Sequence, residues 1–111
     1  MQFLFAMRVK EDAAQVTSEQ LGTEVSYVRE IYAMDVVRQV WSRADVAGAC
    51  LLIEAANEDA AHAAIEGLPL MKAGKLKVET FIPLRPYRGF AGGGNDGSVA
   101  IGESRPGSNP I

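Results

Sequence analysis

The sequence predicts a small α+β domain, a four-stranded antiparallel sheet with two helices on one face. Three observations predict it. Segments 2–9, 36–43, 49–55 and 75–84 have the length and the β-branched and aromatic content of strands. Two stretches between them repeat apolar residues at helical spacing. The order is strand, helix, strand, strand, helix, strand, and 111 residues suffice for one such domain.

The first strand, Gln2–Val9, alternates Phe3, Phe5, Met7 and Val9 on one face with Leu4 and Ala6 on the other. Both faces are apolar, so it should be covered on both sides. After a polar connector, Ser18–Met34 reads as a helix, and Thr17 with Gln20 has capping-box spacing. Its stripe is Leu21, Val25, Val28, Ile31 and Tyr32, and it runs out near Ala33–Asp35. At about 100° per residue, Glu24 falls inside that stripe, between Val28 and Ile31. A carboxylate there must be paired or kept protonated, because desolvating it is costly.

Val36–Arg43 and Ala49–Ala55 read as a hairpin turning at Asp45–Gly48. Asn57 caps the second helix, whose stripe is Ala61, Ala64, Ile65 and Leu68, and Gly67 ends it. A connector through Leu68-Pro69-Leu70 leads to the last strand, Lys75–Leu84, with Pro83 at its end. From Arg85 the composition turns to Gly, Ser, Asn and Pro. This divides the chain into a domain over 1–90 and a flexible tail over 91–111. The proximal piece, Arg85 to Phe90, is either an arm that docks on a partner subunit or a solvated one.

This is the ferredoxin-like order, which leaves one sheet face bare. That face would be apolar, and a domain of roughly 85 ordered residues does not easily keep it exposed. A homodimer packed sheet to sheet, or a higher homo-oligomer, is expected. The net charge of -3, the pI near 5.1 and the lack of a Lys/Arg cluster argue against nucleic-acid and membrane surfaces. The apolar opening Phe3–Met7 is too short for a signal peptide or a spanning helix. A single Cys50 leaves no intrachain disulfide, and a soluble cytoplasmic protein is expected.

Arg38-Gln39-Val40-Trp41, the Leu51–Ala55 strand, Leu68-Pro69-Leu70 and the ending Ile82-Pro83-Leu84-Arg85-Pro86 resemble the muconolactone delta-isomerase family across about Gln2 to Phe90. The resemblance implies a dimeric α+β barrel and a cofactor-independent isomerase of a small unsaturated lactone. In such a reaction a base takes a proton near the lactone carbonyl, a dienolate forms, and the proton returns elsewhere. Counted back from Trp41, Glu24 falls where the family places its candidate base. Gln39 stands where the family has a histidine and Ser42 where it has an arginine, which favours a substrate other than muconolactone. Relatives with this fold include cofactor-free monooxygenases and polyketide cyclases. A non-catalytic binding or assembly module is a further alternative.

Each candidate has a plain structural reading beside the functional one. Glu24 is a catalytic base, or a carboxylate paired with Arg8, Arg38 or Arg43, or one rotated to the rim. Gln39 and Trp41 are expected in a pocket wall between helices and sheet, Gln39 as a donor to an enolate oxygen; Trp41 as plain core is the alternative. Arg38 anchors a substrate carboxylate or bridges the dimer. By strict alternation Arg38 faces away from Gln39 and Trp41, unless the strand bulges. His62 is read as exposed on the polar face of the second helix, and Cys50 as a small core residue. One His and one Cys make no zinc set, and no flavin or nicotinamide motif is present, so no cofactor is expected.

Overall fold

Thr17 opens the first long helix as its spacing predicts. Its hydroxyl accepts from the Gln20 N–H while the Gln20 side chain accepts from the Thr17 N–H, at 3.1 and 3.0 Å. Asn57 caps the second by accepting from the Ala60 N–H at 2.8 Å. The computed structural model describes residues 1–12 and 14–89. Its elements are β1 (Gln2–Val9), α1 (Ser18–Ala33), β2 (Val37–Ser42), β3 (Gly48–Glu54), α2 (Glu58–Glu66), α3 (Pro69–Lys72) and β4 (Leu76–Leu84). The proposed tail, 91–111, and Phe90 lie outside the described residues.

Helix α1 closes on a left-handed residue that the sequence did not announce. Asp35 has φ 64°; the Asp35 N–H donates to Tyr32 O and the Val36 N–H to Ile31 O. These two bonds satisfy carbonyls of the last turn in the Schellman manner, with Asp in the place glycine usually takes. Downstream of α2, four residues expected as connector form α3, with Pro69 in the first helical position, where a missing N–H costs nothing.

The sheet is antiparallel throughout, in the order β2-β3-β1-β4. This is the ferredoxin-like arrangement. Phe3, Phe5 and Met7 of β1, Leu51 and Ile53 of β3, and Ile65 and Leu68 from the helical side are almost fully buried and form the core. The aromatic rings meet inside it: Phe5 lies 5.0 Å from Phe81 and 5.3 Å, edge-on, from His62. His62 is therefore not the solvated residue its sequence position suggested. Ala61 and Ile65 of α2 are buried, and His62 beside them reaches the rings of Phe5 and Phe81, at 5.3 and 4.5 Å. Phe5→Ala removes the ring at the centre of this cluster. It should cost about 3–5 kcal/mol in equilibrium chemical unfolding.

Two bulges decide which side chains face the helices. In β2, Val37 lies opposite Ile53 but Gln39 lies opposite Leu52, so Arg38 is an extra residue. One extra residue reverses the alternation beyond it. Val37 is buried with the core, while Gln39 and Trp41 turn to the helix-free face opposite Leu52 and Cys50. In β4 the extra residue is Glu79, which lets Phe81 and Val78 pair with Phe5 and Met7. Glu79 bonds Arg8 and Arg43, at 3.1 and 2.6 Å.

The helix-free face is thus an apolar belt between two ionic ends. Its central rows are Gln39, Leu52, Leu4, Ile82 and Trp41, Cys50, Ala6, Thr80. At one end Glu54 holds the N-terminal ammonium at 2.8 Å and Arg38 at 3.7 Å. At the other, Arg43 is bidentate on Asp45 and bonded to Glu79. Asp45 is held down to about 2 by that guanidinium. Cys50 sits half-buried in this belt and not in the core.

Candidate active site

Helix α1 is rolled relative to its apolar stripe. Leu21, Val25 and Tyr32 are 53%, 41% and 57% exposed, and Ile31 is the one stripe residue buried. The side facing the rest of the domain runs through Gln20, Glu24, Tyr27 and Ile31. Two side chains one turn apart hold that roll. The Leu70 N–H donates to Glu24 Oε1 at 2.9 Å, and the Tyr27 hydroxyl donates to the Ala64 carbonyl at 3.1 Å. Leu68, which precedes α3, supplies no side-chain cap, so Glu24 does that work from another helix.

Glu24 is half-buried and, among the described residues, has no ion-pair partner. The three arginines considered as partners are occupied elsewhere: Arg8 with Glu79 and Glu11, Arg38 with Glu54, Arg43 with Asp45 and Glu79. Burial pushes the Glu24 carboxyl above the ordinary glutamate value, and the Leu70 N–H opposes this only in part. Tyr27 is raised as well, by burial first and then by the charges of Glu30 and Glu24.

A carboxyl raised in the folded state binds its proton more tightly there than in the unfolded chain. Its contribution is present below the unfolded value and is lost as pH rises through the folded one. Unfolding free energy should therefore fall with rising pH just above the ordinary glutamate range. Glu24→Gln should flatten that segment of the profile, measured by urea titration at several pH values.

The other predicted site residues are not brought to Glu24. Gln39 and Trp41 share a face with each other, and the bulge brings the Arg38 guanidinium to Glu54 on that same face. It is the face away from the helices, so the expected pocket wall of Gln39 and Trp41 between helices and sheet is not formed within one chain. The physical reason is the single extra residue at Arg38. Ser42, opposite Ala49, faces the helix side. An open groove of about 200 Å³ lies between α1 and α3, lined by Glu19, Gln20, Thr23, Pro69, Leu70 and Ala73. Glu24 meets it through the Leu70 amide and does not line it. Among the described residues no cluster of His, Cys, Asp and Glu is placed to hold a metal ion, and no helix is long and apolar enough to cross a membrane.

No family model and no curated protein sequence matches the chain. Among solved structures, a 5-chloro-2-hydroxyhydroquinone dehydrochlorinase from Burkholderia phenoliruptrix AC1100, in complex with 2,5-dihydroxybenzoquinone, superposes with a TM-score of 0.60. The match covers 79% of this chain and 95% of that one, at 22% identity. The likeness is one of fold. It places the ferredoxin-like sheet and its helices in the architecture of that protein.

Proposed function

We propose that the chain is a cofactor-independent isomerase that moves a proton, and with it a double bond, in a small unsaturated lactone or carbonyl compound. The observation that supports it is Glu24: half-buried, without a cation among the described residues, its carboxyl pushed above the ordinary glutamate value by burial, the direction a general base needs. Oε1 is held by the Leu70 N–H, and Oε2 has no hydrogen bond among the described residues. Oε2 takes a proton from the carbon beside the carbonyl, and the C–H electrons pass into the carbonyl system to give a dienolate. The carboxylic acid so formed returns the proton to the far carbon, which moves the double bond and restores the carboxylate.

The fold neighbour supports this reading by the chemistry in its name. Its name describes dehydrochlorination of a small chlorinated hydroxyhydroquinone, and its complex holds 2,5-dihydroxybenzoquinone, so this fold accommodates chemistry on a small oxygenated ring. Arg8, Arg38 and Arg43 are all spent in ion pairs, and Gln39 and Ser42 are neutral, so a substrate without a free carboxylate fits best. Gln39, Trp41 and Arg38 enter the proposal as surface residues of the helix-free face. They would meet a substrate only where two such faces come together in a homodimer.

A second reading has its own observation. The Glu24–Leu70 bond by itself would make Glu24 a fastener of α3 and the chain a non-catalytic module. The test is isomerisation of α-angelica lactone, a neutral butenolide, followed by absorbance with an oxygen electrode in the same vessel. Rate above buffer without oxygen uptake is expected. Oxygen consumption would point to a monooxygenase, and inertness across a panel of butenolides and enones would favour the fastener.

A further inference from the structure

Helix α1 grips the junction between α2 and α3 at two points, and neither grip was visible in the motifs. Glu24 takes the Leu70 N–H at the start of α3, and Tyr27, three residues on, bonds Ala64 near the end of α2. Gly67 lies between those two anchors. A Cβ there would collide with the Tyr27 hydroxyl, so glycine is what lets the tyrosine reach across. This is a close-approach role, since Gly67 itself has an ordinary right-handed backbone.

We propose that the Ala64–Leu70 junction is the positioning element of the candidate base, with the Leu70 amide holding one oxygen of Glu24 and Tyr27 fixing the junction against α1. The inference rests on the reading of Glu24 as a base. A carboxylate free to rotate would present either oxygen, and its rotational freedom would be lost at each encounter with substrate. Holding Oε1 leaves Oε2 as the single oxygen that accepts the proton. The same bond stabilises the charged form and so offsets part of what burial costs it. Tyr27 and Leu70 are positioning groups here, and Glu24 alone touches the reacting atoms.

The test needs no turnover to begin. In the full chain, the Leu70 amide proton and the Glu24 side-chain carboxyl carbon are followed by NMR against pH. One shared midpoint is expected, with the Leu70 step absent in Glu24→Gln. Leu70→Pro, which deletes that N–H in the first turn of α3, should move the Glu24 midpoint further up. It should move the acid limb of kcat/KM by the same amount. Tyr27→Phe should at least halve the Leu70 step while the chain stays folded, and Gly67→Ala should act in the same direction by displacing the hydroxyl. A Leu70 amide that ignores the Glu24 titration overturns the proposal even if Leu70→Pro fails to fold, because that measurement is made on the unmutated chain. The two failures read out separately. Unlinked titrations with an inactive Glu24→Gln overturn the positioning alone, whereas full turnover by Glu24→Gln overturns the base and the positioning with it.

Discussion

Glu24→Gln is expected to lower butenolide turnover about 10²- to 10⁴-fold, the range that removal of a general base produces. The replacement is close to isosteric, and its side-chain oxygen can still accept from the Leu70 N–H, so α3 stays docked on α1. What is lost is the ability to take and return a proton. The burial that raises the carboxyl in the native chain no longer acts on an ionisable group, so stability at neutral pH should hold or improve. Loss of activity with an unchanged or higher melting temperature is therefore the expected pair. Loss of both would say that the charge, and not its chemistry, maintains the fold.

The second large effect is expected on the opposite side of the sheet. Leu52 stands between Gln39 and Leu4 in a central row of the apolar belt, with Ile82 at the far edge. A homodimer that joins two such belts would bury Leu52 from both copies. Leu52→Glu would then place two carboxylates in one dry interface, at a cost of about 2 kcal/mol or more. Association should weaken about thirtyfold or further, seen by light scattering or sedimentation at micromolar concentration. In the single chain Leu52 is only half-buried, so its replacement should leave the domain folded. A wild-type chain that is monomeric at those concentrations would remove the dimer from the account.

The sequence carried the elements well because their signals are local. Thr17 with Gln20, Asn57 with the first turn of α2, and the alternation of Phe3, Phe5 and Met7 each depend on neighbours a few residues away. The residues that mattered for the site depend on distant partners. The roll of α1 is set by Leu70 and Ala64, respectively 46 and 37 positions from the side chains that bind them. No periodicity within the helix encodes such a contact. The stripe rule consequently pointed at Leu21, Val25 and Tyr32, which lie at the surface. It did mark Glu24 as anomalous, because a carboxylate among apolar residues stands out whichever way the helix turns.

The bulge at Arg38 has no signal in the sequence of β2. Nothing in Val37-Arg38-Gln39-Val40-Trp41 announces an extra residue, yet it turns Gln39 and Trp41 away from the helices. A bulge is a property of two strands and their register, and a single strand read alone has period two by default. Asp35 is a similar case: an aspartate in a left-handed conformation ends α1 where a glycine would have been an open signal.

Solvent deuterium exchange compares the two central possibilities in one experiment. α-Angelica lactone is incubated in deuterated buffer with the wild-type chain and, in parallel, with Glu24→Gln, and label at carbon is followed by NMR. A base that takes and returns a proton predicts formation of the conjugated isomer by the wild type well above buffer, with deuterium at carbon only in turnovers where the carboxyl proton exchanges with solvent, and a fall of at least a hundredfold in isomer formation in the variant. Equal isomer formation by both proteins would contradict the assignment of Glu24.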